Sequence, residues 1–160
     1  MFIEEQYKVV PLLKSATDLS GGGDTASIDM TNIHKAVLII TFGNVTVAGP
    51  RLQLYSAATA DTSTTAIAKP VKVTGADIEA VAADKFSVTV AVASGQTYTQ
   101  PTHSQLKDRV AIMEVDASEL TDGHKWVRLN FGNQATACLA SVVAIAIPRF
   151  KPLETATKTA

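Results

Sequence analysis

The stretch "MEVDASELTDGHKWVRLNFG", residues 113–132, gathers four carboxylates, one of three histidines and the only tryptophan of the chain. Asp116, Glu119 and His124 are the residue types of an acid–base or metal-binding set, because carboxylates and imidazole exchange protons and bind cations. Catalysis needs such groups held at set distances in a pocket, and nothing in this spacing demands that. The chain has no H-E-x-x-H, H-x-H or G-x-S-x-G motif. A local reading accounts for every residue. Asp116-Ala-Ser-Glu119 has the spacing of a capping box, in which the first side chain accepts a backbone N–H and the acid three residues on reaches back to the cap. Leu120 then points to the core, and Asp122-Gly123 turns the chain into the next strand.

Other candidates are thinner. "DLSGGGD", residues 18–24, sets two aspartates around glycines, but calcium needs several converging oxygens. His34 and His103 have no partner at ligand spacing and read as surface or loop histidines. Ser141 lies inside an apolar strand, away from any strand-to-helix elbow. Cys138, the only cysteine, reads as a small buried hydrophobe. The residues name no catalytic, cofactor-binding or metal site, and the expectation is a non-enzyme that needs no cofactor.

The elements that carry these residues are strands. "EQYKVVPLL" reads as a first strand, with Pro11 at an edge or bend. "KSATDLSGGGDTAS" reads as a loop with a flexible tip at Gly21-Gly22-Gly23, and "SIDMTNIH" holds a short strand. "KAVLIITFG", apolar on both faces, reads as a buried central strand. "RLQLYS" alternates, with Leu52 and Leu54 inward. A polar loop, "AATADTSTT", runs into one strand over residues 65–73. "GADIEAVAADK" is the one plausible helix. "FSVTVAVA" alternates again before a long loop, "SGQTYTQPTHSQLKD". "RVAIMEV", "KWVRLNF" and "ACLASVVAIAI" are the last strands. The expectation is an all-β fold: an antiparallel β-sandwich or jelly roll of eight or nine short strands, at most one short helix, and extended arms. One sandwich domain is read over residues 1–148, with an N-terminal arm at 1–6 and a C-terminal arm at 149–160.

Composition fits an assembling protein. A chain of 160 residues can bury roughly 70% of its unfolded surface without staples. Charged residues make up 18%, below the usual ~25%, and the net charge is −1. No broad basic field attracts nucleic acid or anionic membrane. The acidic start "MFIEEQYK" does not look like a signal peptide. The longest apolar stretch, residues 135–147, falls short of the ~20 a membrane helix needs. Synthesis in the cytosol, or export without a Sec-type signal, is expected.

Two features look like contact surfaces. On "KWVRLNF", Val127, Leu129 and Phe131 share one face; Trp126, Arg128 and Asn130 share the other, where Trp beside Arg forms an interface anchor pair. Trp126 could instead pack under a loop, or serve as a sugar-stacking platform with Tyr55 and Tyr98. On "ACLASVVAIAI", the face of Cys138, Ala140, Val142, Ala144 and Ala146 is small enough for close approach by the second sheet or by a neighbouring subunit.

Four segments carry a resemblance: "EQYKVVPLL" with its Y-K-V-x-P start at residues 7–11, "NIHKAVLIITFG" with its His-Lys-led apolar strand over 34–42, the run ending in D-A-S-E-L over 106–120, and the G-h-x-W-V-x-L strand over 123–129. Together they resemble small tailed-phage virion proteins, namely head decoration (cement) proteins and related head components. The resemblance implies a structural protein on the outer capsid surface, bound to the major capsid protein and to copies of itself, as a trimer at local threefold positions. It carries over no binding residues. The contact residues expected from the pattern are Phe2, Tyr7, Trp126, Arg128 and Phe150, on the two arms and the tryptophan face. Another virion part (tail, connector or fibre) and a carbohydrate-binding module remain as alternatives.

Overall fold

Residues of alternating polarity put one side chain in the core and the next outside it, and this pattern sets most of the fold. The computed structural model describes residues 7–45, 51–74, 89–90, 98–99, 109–133 and 138–149. Their strands are β1 (Lys8–Asp18), β2 (Gly23–Asp24), β3 (Ile28–Asp29), β4 (Ile33–Val45), β5 (Arg51–Ala57) and β6 (Thr65–Ile67). They continue with β7 (Val71–Thr74), β8 (Thr89–Val90), β9 (Tyr98–Thr99), β10 (Val110–Asp116), β11 (Trp126–Phe131) and β12 (Cys138–Pro148). The first sheet runs β1-β12-β4-β10-β7-β8. The second runs β2-β11-β5-β6, with β3 also on β11 and β9 also on β5. Two antiparallel sheets pack face to face, so the protein is an all-β sandwich.

The order is nested. β1 pairs with β12, β2 and β3 with β11, β4 with β10, and β5 with β6. Each strand meets its counterpart counted from the other end of the sandwich, as in a long hairpin rolled on itself. That is the jelly-roll order, with β7, β8 and β9 as additions.

The core lies between Leu38, Ile40 and Phe42 of β4 and Leu52, Leu54, Leu129 and Phe131 of β5 and β11, all buried. The small face of β12 (Cys138, Ala140, Val142, Ala144, Ala146) is buried in this core, so the neighbouring layer it admits is the second sheet.

The structure corrects several expectations. The strands are not uniformly short: β1, β4 and β12 span 11, 13 and 11 residues. β4 is central, but only one of its faces is fully buried; Val37 and Ile39 on the other are half-buried. The expected loop after "PLL" is largely strand, because β1 continues to Asp18 and lies at the sheet edge, with register shifts around Pro11, Leu13 and Thr17. The glycine tip is packed at Gly22 and open at Gly21. Gly22 has φ +76°, and a Cβ there would lie 2.8 Å from the Phe131 carbonyl oxygen, so only glycine fits. The single strand expected over residues 65–73 is two strands in different sheets, and the chain crosses between them at 68–70. The "GADIEAVAADK" helix, most of "FSVTVAVA" and of the long loop, His103 and both arms apart from Arg149 lie outside the described residues.

Candidate functional site

The corner between β10 and β11 is built as its local chemistry suggests. Residues Ala117–Glu119 form one turn of 3-10 helix, and the Glu119 carboxylate accepts the Asp116 backbone N–H at 2.8 Å within a capping box. Leu120 packs against the core. Gly123 has φ +78° in the turn closed by the His124 N–H donating to the Thr121 carbonyl at 2.8 Å. The turn carries the chain from the first sheet to the second.

Asp116, Glu119 and His124 do not converge. Glu119 takes the ammonium of Lys69, which is buried in the 68–70 crossover. This pair therefore ties two crossovers together at one end of the sandwich. Partial burial works against the charged carboxylate, but the Lys69 hydrogen bond and the Asp116 N–H outweigh it, and Glu119 lies below its usual range. His124 turns elsewhere: its Nδ1 lies 2.9 Å from the Ser56 hydroxyl, and Ser56 is fully buried in β5. Among the described residues, no three His, Cys, Asp or Glu side chains could hold a metal ion. The aspartates of "DLSGGGD" also part: Asp18 accepts the Ser20 N–H at 2.9 Å, while Asp24 faces Arg128. His34 is exposed on β4, and Ser141 is half-buried on β12. Burial pushes the Cys138 thiol up to about 11, with the Asp18 charge adding to it, as for a buried hydrophobe.

The outer face of the second sheet carries Trp126, Arg128 and Asn130 on β11. Tyr55 and Gln53 lie across on β5, with Asp24 and Asp29 on β2 and β3. Trp126, Tyr55 and Asn130 are half-buried. Arg128 is 9% exposed, which corrects the expectation of an outward-standing guanidinium. Its terminal nitrogen pairs with the Asp24 carboxylate, which also accepts from the Asn130 amide at 2.7 Å, while its Nε is buried without a hydrogen-bond partner. Gln53 is buried and donates to the carbonyls of Leu54 and Ile67. Sequence reasoning placed Trp126 and Arg128 on one face but missed Asp24. The only local signal was an acid beside a glycine, and the pairing forms between strands far apart in the chain.

The outer face of the first sheet is the opposite kind of surface. In register across it lie Val9, Ile145 and Val37 in one row, and Pro11, Val143, Ile39 and Ile112 in the next. Val9 is 49% exposed, Pro11 is exposed and the others are half-buried. Lys35, Glu114 and Lys72 border these rows. Lys35 donates to Glu114 at 2.6 Å, which lowers the carboxylate's pKa and raises the lysine's. A shallow cleft of about 240 Å³ opens among Pro70, Lys72, Ile112 and Glu114. No composition or spacing argument had singled out this face, because its residues alternate with core positions on four strands that are distant in the chain. Of the other contact residues expected, Tyr7 is half-buried just before β1, and Phe2 and Phe150 lie outside the described residues.

No protein-family model, curated protein or solved structure matches this chain.

Proposed function

We propose that the protein is a structural component of a tailed-phage virion, a head decoration protein that binds the outer capsid surface without catalysing a reaction. The observation that carries this reading is the apolar outer face of the first sheet. A monomer gains little from Val9, Val143, Ile145 and Ile39 on an outward face, whereas covering them against another protein removes apolar surface from water at roughly 25 cal/mol per Å². An interface with a small apolar centre and a charged border is the ordinary anatomy of protein–protein contact. Lys35, Glu114 and Lys72 supply the border here. The sequence resemblance to decoration proteins supplies the class of partner, the major capsid protein, with further copies of this chain as neighbours. A jelly roll suits the role because it is rigid and presents two broad outer faces.

Quantitative mass spectrometry of purified particles tests the reading. A copy number near one per major capsid subunit, or a simple fraction of it, supports a shell-covering role. A handful of copies per particle moves the protein to the neck or tail, and absence from particles ends the virion reading. Val9→Lys then tests the face. It should reduce binding to undecorated shells by at least about tenfold and leave the fold intact by circular dichroism.

A further inference from the structure

We infer that the outer face of the second sheet is a binding platform for neutral carbohydrate, with Trp126 and Tyr55 as stacking surfaces and the Arg128–Asp24–Asn130 network as its polar anchor. The aromatic pair follows from register. Trp126 is opposite Ala57 and Arg128 is opposite Tyr55, so Trp126 and Tyr55 are diagonal neighbours on one face, roughly 7–8 Å apart. The small Ala57 opposite Trp126 leaves room for the indole to lie over the sheet. Sugar rings present C–H faces that pack on aromatic rings and hydroxyls that need both donors and acceptors. The platform offers both: the Tyr55 hydroxyl, the Asn130 amide and the Asp24 carboxylate, which Arg128 holds in place from beneath.

Charge selects the ligand class. Asp24 and Arg128 neutralise each other by ion pairing, and the Asp29 carboxylate opposite Trp126 adds a negative charge that disfavours an acidic ligand. The same pairing argues against a protein partner. An interface arginine contributes when its guanidinium reaches the partner, and this one is buried and engaged within its own sheet. Asn130 is also held, donating to Asp24 at 2.7 Å. Polar groups fixed before the ligand arrives cost little to order on binding. Face-to-face packing directs this surface away from the outer face of the first sheet, so one molecule could carry both contacts.

The chain has one tryptophan, so emission excited at wavelengths that tyrosine does not absorb reports on this face alone. The full chain should be titrated with dextran, yeast mannan, laminarin and, as an acidic control, polygalacturonate. A saturable change in emission with at least one neutral polysaccharide is expected. Calorimetry should then show binding at least about tenfold weaker in Tyr55→Ala and Trp126→Ala proteins that retain the native circular dichroism spectrum. Asn130→Ala, which leaves the aromatic surfaces in place, should weaken binding without abolishing the emission change. The inference is overturned by silence with all the neutral polysaccharides, by a response to polygalacturonate alone, or by calorimetric binding unchanged in Trp126→Ala. It is also overturned if undecorated capsids, and not the sugars, change the emission. Because the readout uses the isolated protein, its failure leaves the capsid reading standing, and failure of the copy-number measurement leaves this one standing.

Discussion

The two outer faces of the sandwich are made from the same strand geometry and differ in what each residue is held by. On the second sheet, Arg128 and Gln53 occupy outward positions yet are buried, each with hydrogen-bonding or ionic partners inside its own sheet. On the first sheet, Val37, Ile39, Val143 and Ile145 occupy outward positions and pack mainly on one another, with Glu114 and Lys35 at their border, and Val9 stands half in water. A polar side chain satisfied within its own sheet stabilises the isolated molecule. An apolar side chain on an open face does little for the isolated molecule and much for a contact. On the reading proposed above, the two faces do different work, stability and a polar site on one and adhesion on the other.

Both faces hang on one core, and Phe131→Ala should damage both. The ring is buried at the second-sheet side of the core, so a cost of about 3–5 kcal/mol is expected in urea denaturation. Survival of native stability would mean that the faces are carried independently. Next comes Arg128→Ala, expected to cost about 2 kcal/mol, since it removes the partner of Asp24 and buried packing together. Glu119→Ala should cost about 1–2 kcal/mol, because it opens the capping box and leaves the buried Lys69 unpaired. Ile145→Thr, on the open face, should cost less than about 1 kcal/mol in the isolated protein. If Ile145→Thr proves more destabilising than Arg128→Ala, the division of work between the faces is wrong.

Acid should sharpen the same picture. Glu119 and Glu114 titrate below their ordinary 4.5 in the folded protein. The stability they contribute is therefore present above pH 4.5 and lost as pH falls through the folded values. In Glu119→Gln the fall in stability below pH 4.5 should be shallower than in the parent, measured by denaturation midpoints across the acid range. Lys35, raised above 10.5 by Glu114, works in the other direction. Its contribution is complete below pH 10.5 and disappears as pH rises through the folded value.

Much of the scaffold was legible in the residues. Alternation placed β5, β10, β11 and β12, and the Asp116–Glu119 spacing announced the corner, because both signals are local. Pairings between distant segments left no such trace. Lys69 and Glu119 meet across 50 residues, and neither neighbourhood announces the other. The break between β6 and β7 was missed because the alternation runs on through it; Pro70, which has no N–H to give a ladder, was the available signal. The apolar outer face was hidden for a related reason. Val37 and Ile39 looked like core because sequence records that a residue is apolar, and only the fold decides whether anything covers it.

The nested pairing of β1 with β12 has a kinetic consequence. As the chain leaves the ribosome, the first long strand has no partner until the last one has been made. The edges at β1 and β2 cannot close until β12 and β11 are made, and most strand ladders must wait for a distant segment, an arrangement that slows folding. Nascent chains would expose β4 and its apolar neighbours until β10 and β12 emerge. Closure of the sandwich waits for β12, and during that interval chaperones, or crowded copies of the same chain, compete for the strands.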